Sequence, residues 1–138
     1  MDISTVDQLN ALCPNTMMET LGIEFTNASK GFVEATMPVD KRHHQPFGLM
    51  HGGASLALAE TIGSVGSAML VDTKNYLVVG LNMTCNHIGT IRSGKVIGKG
   101  EIIHQGRSTH IWDITVKSEE GKLISTFRFT NFIKPIRK

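Results

Sequence analysis

Between residues 53 and 70 the chain carries a stretch that fits few settings. Ala54, Leu58, Ile62, Val65 and Met69 recur at the spacing of an α-helix, and Leu56, Ala57 and Ala59 fill the positions between them. A helix that is apolar nearly all round must be covered on most sides. Glu60 and several Gly and Ser residues interrupt it too often for a membrane span, so a buried helix is expected and no membrane association.

The flanking sequence supplies a cover. Residues 22–26 and 32–39 read as strands ahead of the helix, and 76–85, 96–104, 109–117 and 123–133 as four more behind it. Turns are expected at Ser93-Gly94, Gln105-Gly106-Arg107-Ser108 and Glu119-Glu120-Gly121. Two short helices precede the strands, over 4–12 with Ser4 as cap and Gln8 beside it, and over 15–21 ending at Gly22. The layout is α+β, a curved antiparallel sheet wrapped on one long central helix. No repeat or linker divides residues 1–138, so a single domain is expected.

Net charge is +2, and the basic residues are scattered apart from Lys134, Arg137 and Lys138, so no nucleic-acid partner is expected. Cys13 and Cys85 lie far apart without CxxC spacing, and the first residues lack a basic and apolar leader. A reduced, cytoplasmic protein is expected.

Three features point to chemistry. His51-Gly52-Gly53 opens the long helix, where backbone N–H groups are unsatisfied and glycine admits a close approach. Such a terminus can polarise a carbonyl oxygen or hold an oxyanion. Glu60 lies mid-helix among apolar neighbours, where burying an unpaired carboxylate costs several kcal/mol. It must reach water, find a partner or react. Gly53, Leu56, Glu60, Ser64 and Ser67 share a rough face with room for a ligand. Gln45 adds a neutral amide donor suited to charge that develops only in a transition state. Taken singly, Glu60 reads as a solvated helix residue and Gly52-Gly53 as a packing device. His43, His44 and His51 have no nearby Cys or acidic partner to complete a metal site, so no metal is expected.

The string His44-Gln45-Pro46-Phe47-Gly48-Leu49-Met50-His51-Gly52-Gly53-Ala54-Ser55, followed by Leu58-Ala59-Glu60-Thr61 and Gly63-Ser64, resembles the hot-dog-fold thioesterases, and within them the PaaI-like subgroup. The similarity extends over nearly the whole chain, including Leu21-Gly22-Ile23 and Met37-Pro38-Val39-Asp40. It implies an enzyme that hydrolyses an acyl-CoA or acyl-carrier thioester, with aromatic acyl groups favoured. No cofactor is implied, CoA being part of the substrate. It also implies a homodimer or homotetramer with active sites at subunit interfaces.

By position, Glu60 matches the catalytic carboxylate and Gly52 the glycine whose N–H polarises the thioester carbonyl. Gln45 and His51 match residues that orient it, and Ser64 a polar group near the attacking water. His87 matches an acyl-pocket residue. Val65 stands where enterobactin-type members carry Met, and Phe47 and Gly53 border the same region. Gly106-Arg107-Ser108 resembles the turn where relatives bind CoA phosphates, although a simple hairpin fits it as well. The Arg-Pro found after the His87 position in many members is Gly89-Thr90 here, which leaves Arg92 to supply positive charge.

The resemblance leaves Glu60 as general base on water or as nucleophile. Two other functions compete. A hydratase or dehydratase of this fold carries a His-x-x-x-Pro-Gly-like context, which is absent around Gln45. A non-catalytic acyl-CoA-binding module remains open; regulators of this fold add an N-terminal helix-turn-helix, for which this chain is expected to have no room.

Overall fold

The structure is a computed structural model that describes residues 3–137. Two short helices, α1 (Val6–Asn10) and α2 (Met17–Leu21), lead into β1 (Glu24–Ser29) and β2 (Phe32–Val39). A 3-10 turn at Lys41–His43 precedes α3 (Gly52–Ala68). The chain ends with β3 (Tyr76–His87), β4 (Gly94–Gln105), β5 (Thr109–Ser118) and β6 (Leu123–Pro135).

All six strands pair antiparallel in one sheet of order β1-β2-β4-β5-β6-β3. α3 carries the chain across the sheet between β2 and the far edge strand β3, and it packs on β2 through β6. This is the helix-wrapped α+β layout expected of a hot-dog fold. Strand alternation makes the inner face apolar: Val33, Ala35 and Met37 on β2, Trp112 and Ile114 on β5, and Phe127 and Phe129 on β6 are buried against Leu58 and Ile62 of α3. Small helix residues let the rings in. A methyl group on Gly66 would lie 2.4 Å from the Trp112 ring, and one on Gly63 2.4 Å from Phe129.

Several local expectations need correction. The first helix is capped by Thr5, not Ser4. Thr5 Oγ1 accepts from Gln8 N–H, and Gln8 Oε1 accepts from Thr5 N–H, a reciprocal box that fixes the start one residue later. The first strand begins at Glu24 because Gly22, at φ 70, caps α2 in the left-handed region. It runs on to Ser29, since Gly31 at φ 86 makes a tighter hairpin than residues 27–31 suggested. The later strands fall where expected and run slightly longer.

The long helix is covered on one side only. Ala54, Leu58, Ile62 and Gly66 are buried, whereas Leu56, Ala57, Glu60, Thr61, Ser64 and Val65 are at least partly open. Ser67 leaves the face assigned to it with Glu60. At that end the sheet curls over the helix, and Ser67 Oγ accepts from Trp112 Nε1–H at 2.9 Å and Asn131 Nδ2–H at 3.0 Å. Both acceptor sites being used, its hydroxyl donates to His110 Nδ1 at 3.0 Å.

Candidate functional site

The N-terminus of α3 is built by its own first residues. His51 is the cap, and its Nδ1 accepts from Gly53 N–H at 2.7 Å. Gly53 is therefore occupied. Gly52 is the first helical residue, so its N–H has no acceptor within the helix and points out of the positive end of the dipole. Its carbonyl, by contrast, accepts from Ser55 Oγ at 3.0 Å.

His87 at the end of β3 stands directly over this glycine, since a methyl group on Gly52 would lie 2.6 Å from His87 Nε2. The resemblance puts His87 in the acyl pocket; within one chain it lies against the helix terminus. Its Nδ1 is 3.0 Å from Ser125 Oγ on β6, and Cys85 Sγ lies 3.5 Å from its Nε2 and 3.7 Å from its Nδ1. Burial pushes the Cys85 thiol up, away from the thiolate form.

The loop before the helix is pinned from both ends. Gln45 N–H donates to Leu49 O at 2.8 Å, and Gln45 Oε1 accepts from Phe47 N–H. With its carbonyl oxygen held, the Gln45 amide offers its NH2 outward as a donor. Phe47 projects into solvent at 82% exposure. Arg92 Nη1–H donates to Phe47 O at 3.3 Å, and His44 Nε2–H donates to Arg92 O at 2.6 Å. The cation considered for the missing Arg-Pro is thus beside the Phe47 loop.

Glu60 lies on the open face of α3, exposed, and its carboxylate makes no hydrogen bond or ion pair among the described residues. It leans over the edge strand: a methyl group on Gly80 of β3 would lie 2.7 Å from Glu60 Oε1. Ser64 follows one turn later, and Val65 packs half-buried against the core. The burial cost foreseen for Glu60 is therefore not met within one chain.

Glu60 and Gly52 are not brought together. Eight residues of helix separate them, about 12 Å of rise. The Gly52 N–H also points away from Glu60 along the axis. The Gly106-Arg107-Ser108 turn lies farther still, beside the C-terminal end of α3 near Leu70 and Val71. There Gly106 N–H donates to Thr109 O at 2.8 Å, and Ser108 O accepts from Ile133 N–H at 2.8 Å. Arg107 makes no ion pair among the described residues.

Two features were not foreseen. Gly80 gives Glu60 its space, and the only sequence signal was a glycine inside a strand. Ser55 and Ser125, both fully buried, link α3 to β6 with their hydroxyls 3.4 Å apart. β3 forms the sheet edge beside Glu60, with Leu77, Val79 and Leu81 exposed by 52, 39 and 62%. No helix among the described residues is long and apolar enough to cross a membrane.

Residues 47–125 match the thioesterase superfamily. The chain is 45% identical to the proofreading thioesterase EntH of Klebsiella pneumoniae over 124 residues, 90% of each protein. The crystal structure of a thioesterase from Pseudomonas aeruginosa, 44% identical, superposes with a TM-score of 0.93 over 96% of this chain and 95% of that one. A Staphylococcus aureus protein, 45% identical, superposes with a TM-score of 0.87 over 88% of this chain and 100% of that one. Crystal structures of that protein were obtained with a glutamate and, separately, with a glutamine replaced by alanine.

Proposed function

Because this chain belongs to the thioesterase superfamily and is a hydrolase of thioesters, we propose that it cleaves aromatic acyl-CoA at a site shared between two copies. Glu60 comes from one copy, and Gly52 and Gln45 from the other. The observation that carries this is the separation along α3. A base or nucleophile and an oxyanion donor must both reach one carbonyl group, within about 3–3.5 Å of the reacting atoms. In one chain they lie about 12 Å apart and the N–H faces the wrong way. Two copies with α3 antiparallel across a two-fold axis would bring each Glu60 to the other's Gly52, and so complete two sites.

Further observations support this arrangement. The face of α3 that bears Glu60 is open, although its small and apolar residues call for a cover. The adjacent β3 edge is long, apolar and unpaired, the kind of edge that takes a second strand. In the Staphylococcus aureus relative, the two positions replaced by alanine lie as many residues apart as Gln45 and Glu60 do here. The aromatic acyl group and the CoA carrier rest on the subgroup resemblance, with Leu56, one turn before Glu60, and the half-buried Val65 as apolar residues of α3.

In the reaction the carbonyl oxygen rests on the Gly52 N–H, aided by the Gln45 amide. Glu60 takes a proton from water as the water attacks the carbonyl carbon, or attacks that carbon itself to give an anhydride that water then cleaves. The C–S bond breaks, the thiolate takes a proton, and a carboxylic acid remains. Ser64 is placed to steady the water or the carboxylate. Arg107, which makes no ion pair among the described residues, is the residue to hold CoA phosphate.

The test is thiol release, followed with a thiol-reactive dye, from aromatic and aliphatic acyl-CoAs. Wild type should hydrolyse the aromatic thioesters, and Glu60→Ala should lose about 10²–10⁴ in kcat. Near-normal turnover in that variant removes Glu60 from the chemistry, and indifference to the acyl group removes the aromatic preference.

A further inference from the structure

Gly52, Ser55, Ser125 and His87 form a polar chain that is buried at the two serines and open to solvent at the His87 ring. The Gly52 carbonyl cannot donate, so at 3.0 Å it takes the only hydroxyl proton of Ser55. Ser55 Oγ can then meet Ser125 Oγ, at 3.4 Å, only as an acceptor, and this long contact draws the Ser125 proton toward Ser55. With its own proton turned that way, Ser125 Oγ is left to accept from His87 Nδ1–H at 3.0 Å. Both serines are fully buried, so solvent does not compete for their hydroxyls, whereas the His87 ring is exposed.

We propose that Ser55 and Ser125 are positioning residues that hold neutral His87 as its Nδ1–H tautomer, with Nε2 a bare acceptor over Gly52. The proposal rests on the thioesterase function for its purpose, though not for its geometry. A bare Nε2 cannot donate to the thioester carbonyl, so that oxygen is left to the Gly52 N–H. It accepts instead from an O–H, and the attacking water carries one. One end of the chain of serines holds the Gly52 carbonyl and the other sets the imidazole above the same residue.

Ser55→Ala separates direction from contact. It leaves the Ser125–His87 pair in place but frees the Ser125 proton, which can then turn to Nδ1 and force His87 into the Nε2–H form. Long-range ¹H–¹⁵N correlation spectra of histidine-labelled protein at about pH 8, where ordinary imidazole is neutral, read this directly. Wild type should show a protonated Nδ1 and bare Nε2 at His87. Ser55→Ala and Ser125→Ala should both move it to Nε2–H, with kcat down about 10–100-fold and KM held, the cost seen when outer partners of oriented histidines in metal sites are removed.

An Nε2–H His87 in wild type overturns the proposal without reference to any variant's folding. So does Ser55→Ala that keeps the wild-type tautomer, or that changes it with kcat untouched. A bare Nε2 that reverses in the variants, in a protein that releases no thiol from any acyl-CoA, upholds the relay and defeats the thioesterase function beneath it.

Discussion

Gly80→Ala tests the placement of Glu60 without altering any reacting group. The added methyl would lie 2.7 Å from Glu60 Oε1 and 3.3 Å from Phe129 Cζ. Ordinary contact for such atoms is about 3.5 Å, so the carboxylate must withdraw by roughly 0.8 Å. Glu60 has no hydrogen bond among the described residues to resist this, and the flexible end of its side chain can swing aside. The fold should tolerate the change. Alanine in place of a strand glycine adds about 0.5–1 kcal/mol, against which the tight Phe129 contact works. Catalysis should not tolerate it, because a misplacement of about 1 Å costs on the order of 10²-fold, or about 2.7 kcal/mol of barrier. The measurement pairs a thermal melt with kcat for an aromatic acyl-CoA. An unchanged Tm with kcat reduced about 10²-fold is expected. Wild-type kcat in this variant would refute the idea that the seat of Glu60 on β3 matters.

Gln45→Ala should lower kcat less than the roughly 10²–10³ lost with a sole oxyanion donor, because the Gly52 N–H remains; steady-state kinetics will show it. Leu81→Lys places a charge on the open apolar edge and should shift the protein toward monomer in sedimentation velocity, with activity falling in parallel. Burial, with a smaller contribution from His104, holds the His110 imidazole below its ordinary value of 6.5. The unfolded chain therefore binds the extra proton first, and stability should fall as pH drops below about 6.5. His110→Gln should flatten the dependence of Tm on pH in that window, whereas the Asp40 carboxyl, held low by Arg42, acts only at more acid pH.

The central helix and the strands around it were legible because their periodicities are strong and their breakers well placed. Leu58 and Ile62 follow the helical spacing, and the alternation of Val33, Ala35 and Met37 marks one buried strand face. The cap at Thr5 was misplaced by one residue because Ser4 and Thr5 are both good caps, and only the reciprocal bonds with Gln8 decide between them. Ser67 was misassigned because helical spacing alone does not reveal how far a sheet curls. The site was legible as a set of residue types, with Gly52 at a helix start and Glu60 unpaired on an otherwise apolar helix. Its internal wiring was not, since Ser55 and Ser125 are distant in sequence and meet only through the packing of α3 on β6.

The length of helix between Glu60 and Gly52 has a genetic consequence. If each site draws on two chains, a chain lacking Glu60 and a chain lacking Gln45 are more active mixed than either is alone. Their heterodimer holds one site with both defects and one with neither. Two impaired alleles would then complement each other in a single cell, the intact site restoring at most half the activity per dimer. An inactive chain expressed beside wild type would also poison sites that it does not itself encode.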